Sequence, residues 1–127
     1  MADSVGRKRI LVVDDDPYVL ELLSRYFGKQ YDVVEARDGP GALAAATKSP
    51  PPDLVLLDIM MPGIDGLGVA HRLRMVPELR HVPIIFVTAK DGPMDVIKGI
   101  QAGAHSYVTK PFNLHDLKEK VEKALNQ

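Results

Sequence analysis

Four apolar runs of strand length in this sequence each end in side chains that can bind a cation or an anion. The residues that directly follow these runs are, in chain order, Asp14-Asp15-Asp16, Asp58, Thr88 and Lys110. In open α/β sheets, ligands bind outside the carboxyl ends of the strands. If the four runs are parallel strands of one sheet, their acids, hydroxyl and ammonium group can together hold a divalent cation and a phosphoryl group.

The run Leu54–Leu57 and the turn after it place a carboxylate at the end of a central strand. Pro52 precedes the run, and the turn residues Pro62-Gly63 and Asp65-Gly66 follow it. A short apolar run with such boundaries suits a strand that is buried on both faces. A charge buried there costs several kcal/mol unless it is paired or bound to a cation. Taken alone, Asp58 fits a site for chemistry and a simple turn cap equally well.

Apolar runs alternate with segments of helical period along the whole chain, which predicts βαβ units and a parallel sheet. The predicted strands cover about 9–13, 31–36, 54–57, 84–87 and 106–109. The predicted helices cover about 17–27, 41–47, 66–76, 94–102 and 114–125. The expected inner face of the first helix consists of Val19, Leu22, Leu23, Tyr26 and Phe27. Asp16 is expected to be a cap or first-turn residue of that helix rather than a metal ligand.

Five pieces of the sequence occur together in the order and at the spacing of one protein family. They are VVDDDP at 12–17, DIMMPGIDG at 58–66, TAK at 88–90, AGA at 102–104 and YVTKPF at 107–112. With these motifs the chain resembles the receiver domain of two-component response regulators over roughly residues 8–125. The resemblance implies a doubly wound α/β fold of the flavodoxin-like type, with five parallel strands in the order 2-1-3-4-5 and five helices. It also implies that residues 1–127 form a single receiver domain.

The resemblance identifies Asp58 as the phosphoacceptor and places a Mg²⁺ ion among the neighbouring acids. Asp15 and Asp58 would bind the metal directly, the backbone carbonyl of Met60 would be a further ligand, and Asp14 would bind through water. This all-oxygen ligand set is the kind that Mg²⁺ prefers. Attack by an aspartate on a phosphoryl group gives an aspartyl phosphate, as in some ATPases.

The remaining strand ends are expected to hold the phosphoryl group and to report its presence. By resemblance, Lys110 pairs with one phosphoryl oxygen, and the Thr88 hydroxyl and the Ala89 N–H donate to others. Thr88 and Tyr107 would form the conformational switch of the family. The peptide bond between Lys110 and Pro111 is expected to be cis, because the family uses this bond to aim the lysine.

The function implied by the resemblance is that of a signalling switch, not of an enzyme with external substrates. A sensor histidine kinase or a phosphotransfer protein would supply the phosphoryl group to Asp58. The domain would catalyse only its own phosphorylation and a slow autodephosphorylation. It would then signal to an output domain or a target protein that the sequence does not identify.

Two other functions are compatible with parts of the sequence. Asp14-Asp15-Asp16 formally matches the Asp-x-Asp pattern of haloacid-dehalogenase-like phosphatases, in which Asp14 would be the nucleophile of an enzyme. Against this, Asp58 is followed by Ile59-Met60, and there is no cap domain to enclose a substrate. The third candidate is a binding module of the same fold that is not phosphorylated, although all the expected site residues are present.

Several basic residues lie around the predicted end of the third helix. They are His71, Arg72, Arg74, Arg80 and His81. We interpret them as a solvated helix surface, and a docking surface for a partner is the alternative.

Composition and length exclude several classes of function. The 127 residues fit one domain, and 46% hydrophobic residues suffice for a packed core. The net charge of -1 gives no reason to expect direct binding to nucleic acid or to an anionic membrane. Without cysteine there is no thiolate chemistry or disulfide, and no apolar run approaches the roughly 20 residues of a membrane span. A cytoplasmic location is expected, and whether the chain stands alone or belongs to a longer regulator stays open.

Overall fold

The computed structural model describes residues 6–48 and 50–126, and in these ranges the chain forms five strands and five α-helices. The strands are β1 Arg9–Val13, β2 Asp32–Ala36, β3 Leu54–Leu57, β4 Ile84–Thr88 and β5 Ser106–Thr109. The helices are α1 Pro17–Phe27, α2 Gly39–Thr47, α3 Gly66–Arg74, α4 Pro93–Gln101 and α5 Leu114–Leu125. All neighbouring strands are parallel, in the order β2-β1-β3-β4-β5. The predicted flavodoxin-like α/β fold is confirmed.

The central strands β1, β3 and β4 are buried on both faces of the sheet, and successive residues of each point to opposite faces. In β3, for example, Val55 and Leu57 pack with α2 and α3, whereas Leu54 and Leu56 pack with α1 and α5. This explains why the central strands are continuous apolar runs rather than alternating ones. Among the described residues, none of the helices combines the length and the apolar character needed to cross a membrane.

Strand register brings the candidate residues to one edge of the sheet. Val13 is paired with Leu57, so the carboxylates of Asp14 and Asp58 directly follow two residues that lie side by side. At the other side of the sheet Thr88 is paired with Thr109, the residue before Lys110. Parallel pairing therefore makes distant parts of the chain end at one place.

The bounds of α1 and α5 are as predicted, whereas those of the other three helices differ by one or two residues. α2 starts at Gly39, two residues earlier than predicted, because the Asp38 side chain caps it. The Asp16 side chain accepts a hydrogen bond from the Tyr18 N–H, which confirms it as the cap of α1. The predicted α3 is wrong in its last two residues, because Met75 already caps it and a 3₁₀ turn follows at Pro77–Leu79. α4 starts at Pro93, one residue earlier than predicted, since proline is well suited to the first helical position.

The predicted inner face of α1 is partly wrong. Leu22 is 45% exposed, whereas Leu20, which the prediction omitted, is 3% exposed and belongs to the core. Leu20 is aligned along the helix with Leu23 and Phe27, at spacings of three and seven residues. Leu22 lies about 200° around the helix axis from Leu20 and so faces away from the sheet.

This correction predicts different costs for two chemically identical substitutions on one helix. Leu20→Ala should lower the free energy of unfolding by about 2–5 kcal/mol, because it opens a cavity in the core. Leu22→Ala should change it by less than about 1 kcal/mol, since the side chain is already half in solvent. Urea denaturation followed by circular dichroism measures both. Equal losses for the two variants would contradict the assigned face of α1.

Candidate functional site

Lys110 lies between two buried carboxylates at the carboxyl edge of the sheet. Its Nζ is 2.7 Å from Asp14 Oδ2 and 3.1 Å from Asp58 Oδ2. Asp14 and Asp58 are 2% and 4% exposed, so bulk water solvates neither carboxylate well. The end of β5 thus supplies a cation to the acids that follow β1 and β3.

The loop after β3 holds Asp58 by its backbone and by one side-chain oxygen. The Asp58 N–H donates to the Val13 carbonyl at 3.0 Å, and Asp58 Oδ1 accepts from the Met60 N–H at 3.0 Å. A β-carbon on Gly66 would lie 2.2 Å from the carbonyl oxygen of Asp58, closer than any real side chain approaches backbone. Gly66 therefore allows α3 to start directly against the loop that carries Asp58.

Each carboxylate oxygen of Asp14 accepts one hydrogen bond, and these bonds compensate its charge only in part. Asp14 Oδ1 accepts from the Asp16 N–H at 2.9 Å, and Oδ2 accepts from Lys110. Burial raises the pKa of Asp14 and outweighs the hydrogen bonds from Lys110 and Asp16, which lower it, and the charge of Asp58 raises it further. The ionised form of Asp14 is thus less favoured than that of a solvated aspartate, despite its contact with the lysine.

Lys110 experiences the opposite balance. Burial lowers the pKa of Lys110, but the hydrogen bonds and charges of Asp14 and Asp58 outweigh it, and the net pKa is raised. The backbone N–H of Lys110 donates to the Thr88 carbonyl at 2.8 Å, which fixes where the side chain starts. The peptide bond between Lys110 and Pro111 is cis, as predicted.

Three acids at this edge form a cluster of the kind that can bind a metal ion. Asp14, Asp15 and Asp58 each offer one carboxylate oxygen, and these oxygens lie within 4.8 Å of one another. Asp15 is exposed, so the cluster is open to solvent on its side. An all-oxygen cluster with an open side suits Mg²⁺, which keeps several of its waters. The predicted ligand role of the Met60 carbonyl stays a prediction.

Thr88 and Tyr107 contact the same peptide segment from two sides. Thr88 is fully buried, and its Oγ1 accepts a hydrogen bond from the Lys90 N–H at 3.3 Å. The Tyr107 hydroxyl donates to the Lys90 carbonyl at 2.6 Å. Burial raises the pKa of Tyr107, and the charges of Asp95, Asp58 and Asp91 raise it further. Sequence reasoning missed this role of Lys90, because a contact made only by backbone atoms has no signature in residue type.

The basic residues at the end of α3 do not all form a solvated surface. The Arg74 guanidinium is partly buried and donates to the carbonyls of Leu79, Arg80, Val82 and Gly103. Burial lowers the pKa of Arg74. Our interpretation was therefore wrong for Arg74, which joins the turn before β4 to the turn after α4. His71, Arg72, Arg80 and His81 are exposed, as expected.

Comparison with known proteins gives consistent matches. The family model of the response regulator receiver domain matches residues 10–122. The response regulator PleD of Caulobacter vibrioides is 45% identical over 106 residues, which are 83% of this chain and 23% of that protein. The DNA-binding response regulator MtrA of Mycolicibacterium smegmatis is 43% identical over 122 residues, 95% of this chain and 52% of that protein. The chain thus spans about a quarter to a half of the length of these curated relatives.

A solved structure matches over nearly the whole chain. The BeF3-activated receiver domain of DrrB superimposes with a TM-score of 0.85 at 30% sequence identity. The match covers 95% of this chain and 99% of that one.

The ion pairs of Lys110 lead to a prediction about stability. Lys110→Met should lower the free energy of unfolding by about 3 kcal/mol in buffer without divalent cations. Removing one partner of a buried ion pair costs roughly 3–5 kcal/mol, and the lower end applies because the lysine is partly exposed. Lys90→Met, which removes an exposed charge from the neighbouring loop, is the matched control. Equal urea midpoints for the two variants would show that the buried pairs contribute nothing.

Proposed function

The chain belongs to the response regulator receiver domain family, and on that basis we propose that it is a phosphoacceptor switch. A phosphoryl group is transferred to Asp58, and the domain changes conformation in response. The sequence-based expectation that residues 1–127 form one receiver domain is part of this proposal. The relatives are signalling regulators, in agreement with a role other than that of an enzyme with external substrates.

The observation that carries the proposal is that Asp58 contacts Lys110 and is followed by a loop that lines a cleft. Its Oδ2 faces Lys110, while the residues that follow it, Ile59–Pro62, line a cleft together with Asp65 and Lys90. A phosphodonor can approach from this cleft. Asp58 would attack the phosphorus atom through a carboxylate oxygen, the bond to the donor would break, and the aspartyl phosphate would remain.

Transfer of a phosphoryl group depends mainly on positioning and on neutralising charge. Lys110 would move from its carboxylates to a phosphoryl oxygen, and the Thr88 hydroxyl and the Ala89 N–H would donate to others. Asp14, Asp15, Asp58 and the Met60 carbonyl would hold Mg²⁺. Mg²⁺, when bound, would supply positive charge that lowers the repulsion between the carboxylate and the incoming phosphoryl group.

The conformational response would begin at Thr88. Its hydroxyl oxygen accepts a hydrogen bond from the Lys90 N–H, and the Lys90 carbonyl accepts one from the Tyr107 hydroxyl. If the hydroxyl turns toward a phosphoryl oxygen, the Lys90 backbone loses one of its two hydrogen bonds. The loop would then be held less firmly, and Tyr107 could move with it. The phosphoryl group would thus change which conformation of this loop is favoured, as in other phosphate-driven switches.

The phosphodonor would be a sensor histidine kinase or a phosphotransfer protein, and autodephosphorylation would reset the domain slowly. The signal would pass to an output domain or a target protein. Direct binding of this domain to nucleic acid is not expected from its net charge of -1. A cytoplasmic location is consistent with such partners.

The central prediction concerns the site of modification. Incubation with Mg²⁺ and acetyl phosphate should add one phosphoryl group to the protein, and peptide mass spectrometry should map it to Asp58. Asp58→Asn should abolish this labelling, because an amide is a poor nucleophile. Asp65→Asn is the matched control, since it lies in the same loop and asparagine preserves its capping role.

Two outcomes of this experiment would overturn the proposal. Undiminished labelling of Asp58→Asn would exclude Asp58 as the acceptor. Labelling that instead requires Asp14, with repeated release of phosphate from small esters, would favour the phosphatase alternative.

A second prediction concerns the metal. Asp15→Asn should weaken Mg²⁺ binding by at least about tenfold, equivalent to about 1.4 kcal/mol, because it removes a direct charged ligand. Asp16→Asn is the matched control, since it removes the same charge from an exposed neighbour that caps α1. Amide chemical shifts followed during Mg²⁺ titration give both affinities. Equal weakening in the two variants would indicate a general charge effect instead of a ligand.

A further inference from the structure

α4 is attached to the rest of the molecule by very few buried atoms. Of its nine residues, all of which lie in the described part of the chain, Gly99 alone is buried. Met94, Ile97 and Ile100 are 64%, 46% and 50% exposed. The position of this helix on the sheet therefore depends strongly on what Gly99 contacts.

Gly99 contacts the ring of Tyr107. A β-carbon at this position would lie 2.7 Å from Tyr107 Cδ2 and 2.8 Å from Cε2, distances that real β-carbons essentially never show. It would also lie 3.3 Å from Phe86 Cδ2, and the Phe86 and Tyr107 rings are packed with their centroids 6.0 Å apart. The tyrosine ring thus lies directly on the backbone of α4, in a space that exists because residue 99 has no side chain.

The two ends of α4 are held differently. Past its C-terminal end, the Gly103 carbonyl accepts a hydrogen bond of 2.8 Å from the Arg74 guanidinium, which is itself held by three other carbonyls. Ahead of its N-terminal end, the Lys90 carbonyl is held by the Tyr107 hydroxyl. A displacement of Tyr107 would therefore act on the middle and the start of α4, while Arg74 retains its end.

We propose that Gly99 is the positioning residue that makes α4 follow Tyr107. Because the Tyr107 ring packs on the Gly99 backbone, any movement of the ring removes the main buried contact of α4. This coupling rests on the proposed switch function, in which Tyr107 moves after phosphorylation. It extends that function by naming the contact through which the movement reaches an exposed apolar helix.

Gly99→Ala tests the contact before any phosphorylation. Alanine favours helix over glycine, so without the contact the substitution would raise the melting temperature. We expect a lower melting temperature and a displaced Tyr107 ring. Labelling with 3-fluorotyrosine gives a fluorine signal for each of the four tyrosines, and Tyr107→Phe assigns the relevant one. The signal of Tyr107 should shift in Gly99→Ala and stay in place in the control Gln101→Ala, which changes an exposed residue of the same helix.

Removal of the ring should reverse the sign of the effect on stability. In a Tyr107→Ala background, Gly99→Ala no longer meets the ring and should raise the melting temperature. This rescue separates coupling between the two residues from a general need for glycine. An equal loss of stability in both backgrounds, or an unshifted fluorine signal, would overturn the proposal.

Beryllofluoride with Mg²⁺ then separates the coupling from the switch itself. In the unmodified protein, beryllofluoride should shift the Tyr107 fluorine signal and the α4 amide resonances together. In Gly99→Ala the shifts of the α4 amides should be smaller, while labelling of Asp58 by acetyl phosphate should be unchanged. Equal α4 shifts in both proteins would overturn the coupling and leave the switch intact. If the unmodified protein shows no response, the switch function fails, and the fluorine and melting experiments still decide whether Gly99 positions Tyr107.

Discussion

The site depends on one cation that is shared by two buried carboxylates. Lys110 alone cannot satisfy both Asp14 and Asp58. Burial raises the pKa of Asp14 despite its hydrogen bond from Lys110, whereas the two carboxylates raise the pKa of Lys110 against the effect of burial. The single charge of Lys110 has two anionic partners. Asp14 has one cation and another anion beside it and little contact with water. Such an arrangement is poor for stability, because burial of charges costs more than one shared partner returns. It is well suited to receive additional positive charge, and the nearby oxygen of Asp15 completes a cluster that can do so.

The fold makes this costly arrangement possible by holding each charge through backbone contacts. Parallel register places Val13 beside Leu57 and Thr88 beside Thr109, so the residues that follow them meet without any long loop. Gly66 lets α3 pack against the backbone of Asp58. The sheet and the helix starts, rather than the charges themselves, supply the stability that keeps the acids close together.

Much of this could be predicted from residue order, and the failures have physical reasons. The strand order and the cis bond before Pro111 were implied by the family resemblance, the α/β class by periodicity and the cap at Asp16 by local chemistry, and the structure agrees with all of them. The inner face of α1 was misassigned because Leu20, Leu22 and Leu23 are all leucines, and hydrophobicity alone cannot distinguish them. Arg74 was taken for a surface charge because its partners are four carbonyls, and backbone acceptors are invisible in a sequence. For the same reason, the sequence could not predict the hydrogen bonds of the Lys90 backbone or the packing of the Tyr107 ring on Gly99.

These contacts of Arg74, Lys90 and Gly99 all involve segments in or next to β4, β5 and α4. β1 and β3 are locked into the core on both faces, whereas β5 is only half buried and α4 has a single buried residue. The side-chain and backbone bonds of Tyr107, Lys90 and Thr88 therefore decide the arrangement there, and each contributes only about 1 kcal/mol in a typical protein. In the proposed switch, a phosphoryl group with its metal would bring charge interactions larger than that. In that switch, the buried strands β1 and β3 would keep the acids in place, and a change of charge at Asp58 would rearrange the weakly held region around β5 and α4.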